Sequence, residues 1–300
     1  MVSLRHRLEY LGFRVLRGIL SLLPECAARG FGSLLGWLAG SLFGVRRDVV
    51  AGNLERAFPE LSDAERRHIA AASWRHLGRE AVATFRLSSE TPDSIRGRTE
   101  FASGWEALEA HVEDGRGAIL VTGHFGNWEI AGAAVASRGH AMDAVATRQR
   151  NPLFDRDLVD TRARLGMDIV VRDDAPRRLL RSLRAGRVAG IVGDQNVAVG
   201  GIPIEFMGHE APTARGAAVF ALRTGVPLFA GVAISLPGPR WRYRITMEEV
   251  TIEASGDFDI DVRRLTQAHT EVLERAVRQH PEQYFWPHKR WKRRGGTETR

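Results

Sequence analysis

Two rhythms of apolar positions divide the chain. Up to about residue 87 the spacing is helical. Leu8 to Leu23 places apolar residues on one face of an amphipathic helix that Pro24 stops. Gly30 to Val45 then carries no charge and ends at Arg46-Arg47. Sixteen residues are short for a membrane span, which needs ~20. Within this run Gly32, Gly36, Gly40 and Gly44 recur every fourth position, a small-residue stripe that would admit a second helix at close range. The pattern predicts a helical hairpin over 1–47, inserted into or lying on a bilayer with arginines at the headgroups; a soluble glycine-rich helix pair is the alternative. A further helix starts at Ser62, with Glu65 placed for a capping box, and keeps Ile69, Ser73, Trp74, Leu77, Ala81 and Phe85 in register. Ser88 to Arg98 is polar, holds Pro92 and Gly97, and reads as a linker that closes a helical segment over 48–98.

Beyond residue 99 the rhythm changes. Short apolar runs (Ala118–Val121, Met142–Ala146, Asp168–Val171, Val188–Val192) alternate with helical stretches (Glu129–Ser137, Leu153–Leu165, Pro176–Ala185). Strand-helix alternation predicts an α/β domain with parallel pairs, spanning 99–294 before a tail at 295–300. A helix (Ala214–Arg223), a strand (Leu228–Ile234), a half-exposed strand within Arg240–Glu248 and a closing helix (Asp261–Gln279) complete it.

The most informative stretch is Val121-Thr122-Gly123-His124-Phe125-Gly126-Asn127-Trp128-Glu129. On one regular helix His124 and Glu129 would stand about 140° apart, at ~100° per residue. They converge only if the histidine ends a strand, Gly126 and Asn127 make a turn, and the glutamate opens a helix. That arrangement suits an imidazole base held by a carboxylate. Taken alone, a histidine after a strand is more often structural. Three other strand-end or terminal segments carry candidate chemistry: Arg148-Gln149-Arg150-Asn151-Pro152, Gly193-Asp194-Gln195-Asn196, and Trp286 to Arg294. In an open α/β sheet ligands bind beyond the carboxyl ends of strands, which puts Arg148 and Arg150 on the rim of His124. The aromatics Tyr284, Phe285, Trp286 and Trp291 argue against a disordered basic tail.

Composition sharpens this picture in two ways. The formal charge is +7, with arginine far outnumbering lysine, which favours an acidic partner: anionic lipid, an acidic carrier protein or nucleic acid. A single cysteine, Cys26, excludes an internal disulfide framework and a cysteine-rich zinc site. The sequence lacks a Gly-x-Ser-x-Gly elbow, a P-loop, an HExxH motif and a strand-linked GxGxxG.

Taken in order, these segments resemble the bacterial lipid A biosynthesis acyltransferases, the late-acting lauroyl and myristoyl transferases related to the phosphatidylinositol mannoside acyltransferase. The resemblance rests on His124, four residues and then Glu129, on Arg46-Arg47 with Asn53-Leu54 and Ala57 to Ser62, and on Arg148 and Asn151-Pro152. It continues through Asp194-Gln195, Phe206-x-Gly208, Thr213 and Gly216 to Pro281–Tyr284, Trp286, His288 and Arg290-Trp291-Lys292. It implies a glycerolipid-acyltransferase-like mixed sheet flanked by helices, preceded by membrane-associating helices. It implies that His124 is the general base for a substrate hydroxyl and that Glu129 orients it. Asn127, Arg148, Arg150, Asn151, Asp194, Gln195, Phe206, Thr213 and Arg290 would bind substrate or stabilise an oxyanion, with Arg148 chosen for the latter by position. The implied donor is acyl carrier protein, or acyl-CoA; the acceptor is a lipid A precursor or another glycolipid, such as a phosphatidylinositol mannoside. No metal, cofactor or nucleic acid is implied, and the implied place is the inner (cytoplasmic) membrane with the catalytic domain on its cytoplasmic side. The competing reading is a non-catalytic protein that binds anionic lipid.

Overall fold

A computed structural model describes residues 2–197 and 200–292; the expected tail at 295–300, and Arg293 and Arg294 of the basic run, lie outside the described residues. The chain opens with α1 (Leu4–Leu22), α2 (Glu25–Trp37, extended by a wider turn to Leu42), α3 (Arg47–Ala57) and α4 (Asp63–Arg86). The capping box at Ser62 and Glu65 forms as expected. The expected hairpin of the first two helices is replaced by a different pairing. The glycine stripe of α2 does admit a second helix, and that helix is α4: a Cβ on Gly36 would lie 1.9 Å from the Trp74 carbonyl oxygen, and one on Gly78 would lie 2.1 Å from that of Gly32. Only backbone-to-backbone contact fits there. α1 turns away after Leu23 and lies against α4, where Phe13 meets Phe85 edge to face at 5.4 Å.

The stretch expected to be a linker contains α5 (Pro92–Arg98). Thr91 caps it, Pro92 occupies its permissive first position, and Ile95 is fully buried. Then follow β1 (Thr99–Ser103), α6 (Trp105–Glu113), β2 (Ala118–Thr122), α7 (Trp128–Ala136), β3 (Met142–Ala146), α8 (Pro152–Arg164), β4 (Met167–Val171), α9 (Ala175–Arg184) and β5 (Val188–Val192). An antiparallel ribbon, β6 (Gly201–Phe206) and β7 (His209–Ala214), precedes α10 (Gly216–Thr224), β8 (Leu228–Ser235), β9 (Tyr243–Glu249) and α11 (Phe258–Gln279).

Seven strands form a mixed sheet in the order β1-β9-β8-β2-β5-β3-β4, with β9 antiparallel to β8 and the neighbours from β8 to β4 parallel. β2 and β5 sit at the centre; their continuous apolar runs suit strands covered on both faces. Right-handed crossovers carry α7 and α8 over one face as the chain steps outward from β2 to β3 to β4. The return from β4 to β5 therefore puts α9 on the other face. The cores agree: Ile130, Ala133 and Val135 of α7 pack with Val82 and Ala83 of α4, whereas Leu179 and Leu183 of α9 pack with Ala218 of α10 and Val262 of α11. No helix among the described residues is long and apolar enough to cross a membrane.

Candidate active site

The carboxyl ends of the two central strands meet here. β2 and β5 run parallel in register from Ala118 with Val188 to Thr122 with Val192, so the residues that follow them emerge side by side. After β2 the chain makes the expected turn. Gly126 takes φ +55°, and a Cβ there would lie 1.8 Å from the carbonyl oxygen of Ala233, so glycine is required twice over. Asn127 then caps α7, accepting from the Ile130 amide at 3.1 Å. Its own amide nitrogen donates to buried Glu80 of α4 at 3.0 Å, and the same carboxylate accepts from Tyr243 and Ser235. The loop is thus tied to the N-terminal helices from below.

His124 does meet a carboxylate, but that of Asp194 rather than Glu129. Its Nδ1 lies 2.6 Å from Asp194 Oδ1, and its backbone N–H donates to Oδ2 at 2.9 Å. One carboxylate grips the same residue by ring and backbone, which sets Nδ1 as the protonated nitrogen and leaves Nε2 as the basic one. The amide nitrogen of Gln195 stands 3.2 Å from that Nε2. Burial works to lower the imidazole's pKa, yet the charge and hydrogen bond of Asp194, with help from Glu129, outweigh it and hold the value above 6.5. Asp194 is buried too, and burial would raise its carboxyl; the His124 ring and amide, and then the Arg290 charge, keep it below its ordinary range.

Glu129 forms a second pair. It accepts from Arg162 of α8 at 2.5 and 2.9 Å, and reaches His124 only through its charge. His124, Glu129, Arg162 and Gln195 all line a cavity of about 520 Å³. Below them its walls become apolar, with Leu120, Ala131, Met142, Phe154, Leu158 and Met167. Pockets of this size and composition hold ligands with a long apolar body and a small polar head.

A model of the bacterial lipid A biosynthesis acyltransferase family matches residues 2–293. The chain belongs to that family. It is 28% identical to the lipid A biosynthesis lauroyltransferase of Escherichia coli K12, over 97% of this chain and 93% of that protein. It is 25% identical to the palmitoleoyltransferase of the same organism, over 88% and 84%. With the phosphatidylinositol mannoside acyltransferase of Mycolicibacterium smegmatis it shares 27% identity, but the match spans 62% of this chain and 59% of that protein.

Set on this lipid A acyltransferase family member, the expected site residues divide into groups. His124, Glu129 and Gln195 line the cavity, and Asp194 stands behind the histidine. Asn127 is 2% exposed and serves the loop rather than the cavity wall. Arg148 and Arg150 are exposed and outside the cavity lining, which takes Arg162 and Arg172 instead. Asn151 caps α8 through the Leu153 amide and reaches the His6 carbonyl of α1. Phe206 is fully buried and stacks on Trp291. Arg290 is 1% exposed; it donates to Thr213 Oγ1 and to the Pro212 carbonyl, both at 2.7 Å, and its charge backs Asp194. Burial of Tyr284, Trp286 and Trp291 agrees with the reading that these aromatics need a core.

Three contributors escape a reading by strand ends. Arg162 follows Phe154 and Leu158 at four-residue spacing, so an arginine on the apolar face of a helix was its signal. Trp128 places its ring 4.8 Å from that of His124. The Phe285 amide donates to the His124 carbonyl at 3.0 Å, and the buried Tyr284 hydroxyl stands within the fields of Asp194 and Arg290, so the C-terminal segment closes the back of the site.

Proposed function

We propose that this chain is an O-acyltransferase that moves a fatty acyl group from a thioester to a hydroxyl of a lipid A precursor or a similar glycolipid. The observation that carries the reading is the basic Nε2 of His124, fixed by Asp194, at the mouth of an apolar cavity. His124 Nε2 removes the proton of the acceptor hydroxyl as the oxygen attacks the thioester carbonyl. Asp194 stabilises the imidazolium that forms. The Gln195 amide, which faces Nε2, yields its place to the acceptor. The tetrahedral oxyanion is met by Arg162, whose Nε and Nη2 are engaged by Glu129 and whose Nη1 has no hydrogen-bond partner among the described residues and can donate. Collapse of the intermediate breaks the carbon–sulfur bond, and His124 returns its proton to the leaving thiolate. The acyl chain lies along Leu120, Met142 and Met167.

Acyl carrier protein is the donor this reading favours over acyl-CoA, because an acidic carrier suits a chain of formal charge +7. The acceptor is a membrane lipid, and α1 supplies a route to it. Leu4, Leu8, Leu11, Val15 and Ile19 form an exposed apolar stripe on one face of α1, and Leu22 at its end is 87% exposed. The opposite side of α1 is held to α8: Tyr10 donates to Asp157 at 3.0 Å, Arg17 pairs with the same carboxylate, and Phe13 packs on Phe154 of the cavity wall. A helix lying in the bilayer surface on that stripe would bring the cavity mouth to the lipid plane, on the cytoplasmic side of the inner membrane where thioester donors are found.

The deciding experiment incubates purified protein with a radiolabelled acyl thioester and glycolipid acceptors. Transfer by the wild type and a loss of at least about 10³-fold in His124→Ala, with an unchanged circular dichroism spectrum, is expected; equal turnover by the variant would sink the mechanism. Mass spectrometry of lipids from cells with and without the protein reads the acceptor and chain length together. Replacing Leu8 and Val15 by Gln should lower partitioning onto phospholipid vesicles by about tenfold or more, since each exposed aliphatic side chain contributes on the order of 1–2 kcal/mol when buried; unchanged co-sedimentation would remove α1 from the interface.

A further inference from the structure

We propose that the outer face of α9 is the docking surface for an acidic carrier protein that presents the acyl thioester; this rests on the acyltransferase reading above and assigns the donor a place on the molecule. α9 is a strongly two-sided helix. Ala175, Leu179, Ser182 and Leu183 are buried against the sheet, while Arg177, Arg178, Arg181 and Arg184 are exposed. Spacings of four and three put Arg177, Arg181 and Arg184 in one row. No acidic residue lies between Ala175 and Arg184. Among the described residues, the guanidiniums of that row form no ion pair or hydrogen bond, in contrast with Arg162 and Arg187 nearby, which are paired. From Arg172 to Arg187 the sequence carries six arginines against Asp173 and Asp174, so much of the chain's positive excess is gathered in this segment.

Four like charges on a ten-residue helix repel one another, which the last-turn position of Arg181 and Arg184 offsets only in part. Their placement gives them a use. The turn Arg172–Asp174 joins the carboxyl end of β4 to α9, and Arg172 lines the catalytic cavity. A carrier seated on the arginine row therefore sits beside the cavity rim, with Arg172 on the path of the phosphate that links a carrier to its thioester arm. The other anionic surface that could meet these arginines is a membrane. The fold argues against it: α9 lies on the sheet face opposite α7 and α8, and the apolar stripe of α1 is on the α8 side. A bilayer that takes up the stripe leaves α9 facing away, open to a soluble partner. The two substrates then approach from opposite faces of the sheet and meet at His124.

The test compares the full-length wild type with R177A/R181A/R184A, none of which lines the cavity. Arg178 is left in place because it also donates to the Ile169 carbonyl. Binding to lauroyl acyl carrier protein is followed by fluorescence anisotropy over a salt series. Kinetics are measured with the same thioester on the carrier and on coenzyme A, and co-sedimentation with phosphatidylglycerol vesicles is recorded. The expected result is a KM for the carrier thioester raised about tenfold or more, a flattened salt dependence of binding, and an unchanged kcat. Kinetics with the CoA thioester and vesicle binding should not move. Unchanged carrier binding and KM in the variant would overturn the proposal, as would a wild type that does not bind the carrier. Loss of vesicle binding with intact carrier kinetics would overturn it as well and assign the helix to lipid. If the wild type transfers acyl groups from neither thioester, the catalytic reading fails, and the binding series still decides the docking surface by itself.

Discussion

Two cation–carboxylate pairs stand at the mouth of the same cavity and are built for different work. His124 and Asp194 are joined at 2.6 Å with the aspartate buried behind the ring; Glu129 and Arg162 are joined twice, at 2.5 and 2.9 Å, with both groups facing the cavity. In the first pair one member can gain and lose a proton, and the buried partner decides which nitrogen is basic and raises its affinity for that proton. In the second a guanidinium holds a carboxylate by two side-by-side hydrogen bonds. A titrating pair moves a proton; a fixed pair holds a shape and offers leftover donors. The lesson is that proximity of opposite charges does not define a role, whereas the chemistry of the members and the direction each faces do.

The contrast can be broken experimentally. Asp194→Asn should have the largest effect, a fall in kcat of about 10³–10⁴-fold, because the ring loses both its tautomer control and the partner of its cation. The residual activity should carry a second signature. A general base must be neutral, so the rate rises with pH through the histidine's pKa. That pKa is held above 6.5 by Asp194, and its loss should shift the acid limb of the profile to lower pH. A limb that stays in place would separate the aspartate from the base. Arg162→Ala should cost less, about 10²–10³-fold in kcat, the range for one lost oxyanion donor. Glu129→Gln should cost least, about tenfold, since the amide that replaces the carboxylate still offers an oxygen to the guanidinium. If Glu129→Gln were as damaging as Asp194→Asn while the protein stayed folded, the assignment of the two pairs would have to be exchanged.

Much of this was legible where the determinants are local. The strand, glycine turn and capped helix around His124 follow from residues 117–130, and the central strands from their apolar runs. The partner of His124 was not legible, because it lies 70 positions away and becomes a neighbour only when β5 inserts between β2 and β3. Nearness in sequence favoured Glu129. The same bias favoured Arg148, at a strand end, over Arg162, which reaches the cavity from the helix that covers it. The ribbon β6–β7 reads as a glycine-rich loop until its turn is seen: Met207 and Gly208 both take positive φ, as a two-residue hairpin turn requires. Pro92 and Gly97 suggested a linker, and Thr91 with Ser94 overruled them by capping a short helix. The glycine stripe announced a close helix contact but carried no information about which helix would make it.

The closure of the site from behind also fixes an order of events in folding. The Phe285 amide holds the His124 carbonyl, and Asn53 clasps the carbonyls of Trp286 and His288 at 2.7 Å. A ribosome-bound chain that has emerged only as far as Glu282 has already exposed the whole of α1, yet its histidine loop lacks these braces. The histidine loop therefore takes its braced form only once residues 284–288 have folded against it.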